Sequence, residues 1–496
     1  MSAAQSDPQI DLQPDTQLGP IRHIRLQPQP RMDMLAPIAI LEHLEARLAD
    51  ALARLQLTAA GGVQSLLLAL PRAPAAAPQL AGRQFQFQHA QRGELHVGYG
   101  EAQAWHAAGP ARLRTLTDAL ATTDWRRADP DQTGFDAFAM LGFAAGDERA
   151  SAAAADTDSS LPNAILWVPE IGLVSRDHEA ALVFSTPLPA APDAVLGRWR
   201  AGLRQLIPAL YRPLNGPLTP AHLLRQHEQP DAAGWTDLVQ AALARIGAGP
   251  IEKVVLSRRL VVQGPRPFDI GRLLSALGCL FPSCQILSLK RNGQSFVAAT
   301  PERLLDLRDG RLEVDAIAGT APRAESVAGD AALRDALLGS DKDLREHRVV
   351  IDAIRAALAD CCDAFRVPPA PRVMQLTNAQ HLWSPITARP RPGVDLFELA
   401  ERLHPTPATN GQPRDAAQAW IKHAEPFDRG WYTGAAGVLR PDGTGELWVL
   451  LRCARVHEAH AELFAGSGIV AGSDPGSEWD ETEAKLAAML SALQYA

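Results

Sequence analysis

Two Asp-Gly pairs stand between apolar, strand-like runs, and they restrict the fold of this chain more than any other feature. Asp309-Gly310 separates LLDLR from RLEVDAI, and Asp442-Gly443 precedes ELWVLLRCARV. Asp-Gly enters the positive-φ turns whose twist matches that of two antiparallel strands, so each pair predicts a hairpin connection. Gln84 to Gly100 alternates like a further strand pair. Helical spacing of apolar residues predicts helices at Ile38 to Leu57, with Glu42, Glu45 and Arg47 on the wet side, and around Thr236 to Arg245. Longer ones are predicted at Asp343 to Leu358 and Asp480 to Leu493. No repeat of solenoid length is present. The predicted class is α+β, built on antiparallel sheets.

At 496 residues the chain exceeds one ordinary core, which predicts two domains or one large two-layer domain. The main boundary is expected near Pro220 to Gly234, after a Pro-rich connection from Arg212 to Pro220. Residues 1–35, rich in Gln, Pro and Asp and without an apolar segment of the signal-peptide kind, read as a disordered lead-in. Gly146 to Pro162 reads as a polar surface loop. A net charge of −8 with scattered Arg and Lys gives no reason to expect nucleic acid or an anionic membrane as partner, and no apolar run is long enough for a spanning helix. Cys279, Cys284, Cys361, Cys362 and Cys453 form no CxxC pair, which predicts reduced thiols, a cytoplasmic location and no zinc site.

Chemistry-bearing residues concentrate after Pro220. In the helix from Asp343, Glu346 is in step with Val350, Ala353, Ile354 and Ala357, which puts a carboxylate on the core-facing stripe. In the last helix Glu478, Glu481 and Lys485 continue onto Ala488 and Ala492. Two readings stand side by side: Glu481 and Lys485 as a solvated i,i+4 pair, or carboxylates from two helices converging on a hard cation such as Mg²⁺. Arg452 shares strand parity with Trp448, Leu450 and Ala454. It is either an Arg snorkelling at a strand end or a fork for a substrate carboxylate. Lys253, in IEKVVLSRRL, has no clear inward parity and fits an exposed edge residue as well. Ala318-Gly319-Thr320 and Ala465-Gly466-Ser467-Gly468 read as turns whose N–H groups could hold an anion.

Taken in order, KVVLSR (253–258), ATPERLL (299–305), AIAGTAPR (316–323), SDKDLREH (340–347), QHLWSPI (380–386), LHPTPATNG (403–411), EPFDRGWYTG (425–434), LLRCARV (450–456), FAGSGIV (464–470) and SEWDETEAKL (477–486) resemble the chorismate-utilising family. That family comprises isochorismate, salicylate, anthranilate and aminodeoxychorismate synthases. The matching motifs span about Ile251 to Leu490, so residues 235–496 are expected to form the chorismate-binding catalytic region and residues 36–220 the divergent N-terminal part of the fold. The resemblance implies two α+β subdomains around stacked antiparallel β-sheets flanked by helices, with the site between them.

It also implies roles. Glu346 and Glu481 match Mg²⁺ ligands, and Glu478 an acidic residue supporting the metal through water. Arg452, Tyr432 and the Gly466–Gly468 segment match the grip on the enolpyruvyl carboxylate, and Lys485 closes that pocket. His381 matches a histidine near the ring, while Gly319, Thr320 and Ala408 match further substrate-binding positions. Lys253 matches the base that deprotonates water attacking C2, and Glu302 the acid that protonates the departing C4 hydroxyl. Each needs the protonation state opposite to its usual one at pH 7, and burial acts in the required direction on both.

Within the family, Ala318 stands where common aminodeoxychorismate synthases carry a nucleophilic Lys, and Lys253 where anthranilate synthases typically carry Gln. No glutaminase subunit is therefore expected. LHPTPA followed by EPFDRG resembles the isochorismate synthases, implying an isomerase that turns chorismate into isochorismate, usually as a monomer, in siderophore or menaquinone synthesis. Thr409 departs from the apolar residue common there, which leaves salicylate formation by pyruvate elimination as an alternative product. An inactive chorismate-binding scaffold is the reading from another class.

Overall fold

The protein is described by a computed structural model covering residues 37–147, 161–212, 219–377 and 379–496. The lead-in predicted for residues 1–35 lies outside the described residues, as do most of the predicted 146–162 loop and the middle of the Pro-rich connection.

Among the described residues, 23 strands form one sheet of 13 and one of 10. Pairing is antiparallel throughout except between Val63–Ala69 and Trp125–Ala128. Both Asp-Gly hairpins are present. Arg303–Arg308 turns directly into Arg311–Pro322, with Asp309 and Gly310 at φ of 51° and 68°. Ala435–Leu439 returns as Gly445–Val449 through a longer loop in which Asp442 accepts from the Thr444 amide. The strand pair expected between Gln84 and Gly100 forms as Gln84–His89 and Glu94–Tyr99.

The chain halves share both sheets. In the larger sheet Gln84–His89 pairs with Gln285–Arg291, and in the smaller Ala139–Phe143 pairs with Ala435–Leu439. Backbone ladders therefore run across the halves on either side of residue 220 at two places. Between the sheets lies an aromatic core that includes Phe85, Phe87, Phe138, Trp167, Trp431 and Phe464. Helices cover the outer faces: Pro37–Leu52 and Pro192–Leu210 over the N-terminal part of the larger sheet, Ile270–Leu280 and Pro475–Leu493 over its C-terminal part. Arg112–Ala121, Asp341–Leu358 and Leu396–Leu403 pack on the smaller sheet. The result is stacked antiparallel sheets flanked by helices.

Helix starts follow their capping residues rather than the apolar periodicity. Ser340 caps Asp341–Leu358, Asp231 caps Ala232–Gly247, and Asp474 caps Pro475–Leu493, each accepting a backbone N–H near the first turn. The last helix thus begins five residues before the predicted Asp480 and takes Glu478 into its first turn. The first helix ends at Leu52, short of Leu57, after burying Ile40, Leu44, Leu48, Ala51 and Leu52.

Two strands pass from one sheet to the other, and this corrects a sequence reading. Gly445–Val449 belongs to the smaller sheet and Cys453–His457 to the larger, so Leu450, Leu451 and Arg452 form a crossing rather than the middle of one strand. Arg452 has φ of 47°, so its parity with Trp448 carries no information about the side it faces. Gln294–Thr300 crosses likewise to Arg303–Arg308 through Pro301 and Glu302. The crossings are tied together by Val449 N–H to Glu302 O at 3.0 Å and Ala299 N–H to Arg452 O at 3.1 Å.

The strand Lys253–Gln263 receives an extra two-residue partner, Gly411–Gln412. Gly411 has φ of 142°, and a Cβ there would lie 2.3 Å from Lys253 O. Replacing Gly411 by Ala is expected to cost about 2–4 kcal/mol, from backbone strain and overpacking together. A denaturant midpoint unchanged from the natural chain would contradict that close approach.

Candidate active site

Lys253 opens its strand opposite Val470 and Gln412, with neighbours on both sides. Residues 253–258 are all buried, because helices cover one face and the second sheet lies beyond the other. A strand covered on both faces shows no alternation, which is why parity was silent on Lys253. The exposed-edge reading fails: Lys253 is 3% exposed, and its Nζ lies 2.6 Å from Glu346 Oε1.

Glu346 projects from the helix Asp341–Leu358, whose buried stripe is His347, Val350, Ile354 and Leu358. The stripe is rotated from the predicted one, with Ala353 and Ala357 only partly covered. Glu346 therefore sits at its margin, half-buried, facing the Lys253 strand. Gly468 makes room for the pair: a Cβ there would lie 3.0 Å from Lys253 Cε and 3.3 Å from Glu346 Oε1.

Gly466, Ser467 and Gly468 are not a turn but the middle of the strand His460–Val470, paired along Lys253–Gln263. Glycine is needed there for close approach. A Cβ on Gly466 would lie 2.7 Å from Leu256 O and 2.8 Å from the Tyr432 hydroxyl. Gly319 likewise marks a bulge within Arg311–Pro322, at φ of 80°, rather than a free turn.

The last helix meets the same strand. Ser467 Oγ donates to Glu478 Oε2, and Lys485 Nζ donates to Gly466 O at 2.8 Å and pairs with Glu481 at 2.7 Å. Burial opposes charge on Glu481, but Lys485 beside it, with Ser467 adding, holds its carboxyl below the usual carboxylate range. Glu481 and Lys485 are thus more than a solvated surface pair.

Glu346, Glu478 and Glu481 therefore approach one short segment, Ser467–Gly468, and offer only hard carboxylate oxygens, a donor set suited to Mg²⁺. They are not gathered into a closed set. Among the described residues no three His, Cys, Asp or Glu side chains converge closely enough to hold an ion. Two of the three are engaged by lysines instead, Glu346 by Lys253 and Glu481 by Lys485. The donor chemistry fits a divalent cation that takes over those partnerships.

A second group of predicted site residues lies at the strand crossings. Glu302 is buried, and burial raises its carboxyl to about 7, with Thr406 as its hydroxyl partner at 3.4 Å. Arg452 is buried on the neighbouring crossing, with Nη2 3.4 Å from His381 Nε2 and the Cys284 thiol against it. Its Nη1 is buried without a hydrogen-bond partner. Arg is only a donor, so His381 Nε2 accepts, and Nδ1 carries the proton toward Thr320 Oγ1 at 3.0 Å. Burial first, then Arg452 and Lys485, push the imidazole down to about 3, so it is neutral. Tyr432 is buried against Gly466, and Ala408 is partly covered on the loop between Leu403 and Gly411.

Sequence reasoning singled out none of the residues that brace this site. Arg258 is 1% exposed, lies 3.6 Å over the Trp479 ring and donates to Thr482 Oγ1 at 2.7 Å, which pins the last helix to the Lys253 strand. Arg429 is ion-paired with buried Glu425 and donates to Val255 O at 2.7 Å and Thr409 O at 2.8 Å. The available signal was a charge inside an otherwise apolar or aromatic string.

A carboxyl whose pKa is raised by folding stabilises the fold fully below its unfolded value, near 4.5, and that contribution disappears as pH rises through about 7. Replacing Glu302 by Gln should therefore leave stability nearly unchanged at pH 4 and raise it above pH 7, by up to about 3 kcal/mol. Thermal denaturation across pH checks this; parallel curves for the two proteins would refute the shift.

Residues 70–494 match the family model described as chorismate binding enzyme. The chain is 34% identical over 266 residues to isochorismate synthase MenF of Bacillus subtilis, covering 54% of this chain and 56% of that protein. It is 38% identical over 262 residues to the salicylate biosynthesis isochorismate synthase of Pseudomonas aeruginosa, covering 52% and 54%. The matches thus span just over half the length of these curated relatives. Among solved structures, MenF of Escherichia coli, the menaquinone-specific isochorismate synthase, superposes with a TM-score of 0.75 at 27% identity, covering 92% of this chain and 99% of that one. DhbC of Bacillus anthracis gives 0.66 at 25% identity, covering 84% and 98%.

Proposed function

The chain belongs to the chorismate-binding enzyme family, and from that premise we propose that it is an Mg²⁺-dependent isochorismate synthase. The observation that carries this reading is a buried carboxyl, Glu302, raised to about 7 and within electrostatic reach of buried Lys253. A buried amine and a buried acid within electrostatic reach of one another suit a reaction in which water attacks one ring carbon while hydroxide must leave another.

Lys253 Nζ takes the proton of the water adding at C2, and Glu302 gives its proton to the C4 oxygen as that bond breaks. One water is taken up and one released, so the product is an isomer of the substrate. In the return direction the ammonium of Lys253 is the acid and the carboxylate of Glu302 the base. Arg452 supports recognition of the enolpyruvyl carboxylate, because its unpartnered Nη1 offers a donor in a buried setting. Neutral His381 presents no second charge there. Glu346, Glu478 and Glu481 would hold Mg²⁺, which supplies positive charge for the ring carboxylate. Lys253 also suits water rather than ammonia as nucleophile, so no glutaminase partner is invoked. A cytoplasmic location fits five free thiols, and among the described residues no helix is long and apolar enough to cross a membrane.

The test is incubation of the purified protein with chorismate, with and without Mg²⁺, resolved by chromatography. Isochorismate is expected with metal, lost on chelation and restored on adding Mg²⁺ back. Lys253→Ala should lower turnover by at least about a hundredfold. Salicylate with matching pyruvate would make the enzyme a salicylate synthase instead. Chorismate binding without turnover would make it a scaffold.

A further inference from the structure

Two buried hydroxyls beside Glu302 have no part in the acid–base scheme. Thr406 Oγ1 lies 3.4 Å from Glu302 Oε1 and 3.2 Å from Thr409 Oγ1, and Thr409 Oγ1 lies 3.3 Å from Thr406 O. All three side chains are buried. The turn that carries them is held from behind. The amides of Thr409 and Asn410 donate to Thr406 O at 3.1 and 2.9 Å, and Arg429 donates to Thr409 O at 2.8 Å.

We propose that Thr409, acting through Thr406, is a positioning residue for the acid, the two hydroxyls forming a reversible chain that keeps Glu302 hydrogen-bonded whether it carries its proton or has given it up. The inference rests on the reading of Glu302 as the acid. A hydroxyl has one proton to donate and lone pairs to accept with, so the chain has two complete arrangements. With Glu302 ionised, Thr406 donates to it and Thr409 donates back toward Thr406. With Glu302 protonated, Glu302 donates to Thr406, Thr406 to Thr409, and Thr409 to Thr406 O.

Remove the Thr409 hydroxyl and only the first arrangement is complete. With Glu302 protonated, the Glu302–Thr406 pair then holds two protons and loses the acceptor that took the second, and an unmade buried hydrogen bond is costly. The loss falls on the protonated form, so the variant acid gives up its proton at lower pH. Other charges face Glu302 from three elements: Lys253 from its strand, Lys485 from the last helix, and Asp315 from Arg311–Pro322, the lysines favouring the carboxylate and Asp315 opposing it. All three stay in place when Thr409 is changed.

The experiment compares the natural chain with Thr409→Val, Thr409→Ala and Thr409→Ser. One readout is the pH profile of isochorismate formation. The second is the pH midpoint of the infrared carboxylic-acid band that Glu302→Gln removes. In Thr409→Val and Thr409→Ala the alkaline limb of kcat and the band midpoint should both fall by roughly half to one pH unit. KM for chorismate should be unchanged at the acidic end, and Thr409→Ser should restore both. Two substitutions of different bulk separate the lost hydroxyl from a packing defect. An unmoved midpoint in both overturns the proposal, as does a shift that Thr409→Ser shares. A midpoint that shifts in a protein forming no isochorismate would uphold the relay and overturn the reading of Glu302 as the acid.

Discussion

The site depends on two backbone hydrogen bonds that join neighbouring crossings between the sheets. Val449 N–H to Glu302 O and Ala299 N–H to Arg452 O fix the points where one strand leaves the larger sheet and another enters it. Strands normally carry side chains to one face or the other of a single sheet. At a crossing a side chain can instead lie in the seam between two sheets, buried without entering the aromatic core. Glu302 and Arg452 occupy those positions. Their surroundings are low in water because both sheets cover them, and this burial raises the pKa of one and depresses that of His381 beside the other.

Burial makes each charge in the seam costly unless it is partnered. The chain meets that constraint with paired charges: Lys253 with Glu346 across elements, Lys485 with Glu481 at i,i+4 within the last helix, Arg429 with Glu425 at i,i+4 within one loop, and Arg258 with Glu483 and Glu228 across elements. The first two pairs hold residues of the proposed chemistry. The others join backbone segments, and both of their arginines also take a second kind of contact, a ring face or a carbonyl. Such braces fix the spacing between strand and helix, so the lysine and carboxylates of the site meet at defined distances.

Local chemistry was legible in the sequence wherever it depended on a few adjacent residues. Asp309-Gly310 and Asp442-Gly443 announced their hairpins because the turn itself demands those residue types. Helix bodies were legible from apolar spacing, but their starts were set by Ser340 and Asp474, caps that periodicity does not weigh. What sequence could not show was which strands change sheets. Arg452 was selected by a parity that its positive φ makes meaningless, while Lys253 was undervalued because a strand buried on both faces has no parity to read. The resemblance to a family supplied the grouping of Lys253, Glu302, Glu346 and Arg452 that spacing alone did not. Residues before 220 gave no chemical signal, and their described strands extend both sheets.

The charges around the seam also explain why the reading includes a divalent cation. Lys253 and Lys485 are each neutralised by a glutamate, Glu302 keeps a substantial protonated fraction near neutrality, and His381 is neutral. Among these described groups Arg452 is then the cation left to meet a carboxylate of the proposed substrate, chorismate, which carries two. The second carboxylate would enter a region already holding Glu478 and two lysine-balanced glutamates, where an added negative charge is unfavourable in a poorly hydrated site. In the proposed reading a divalent cation held by Glu346 and Glu481 would add the positive charge that these side chains lack, and it would free Lys253 from its partner at the place where the proposed base is needed.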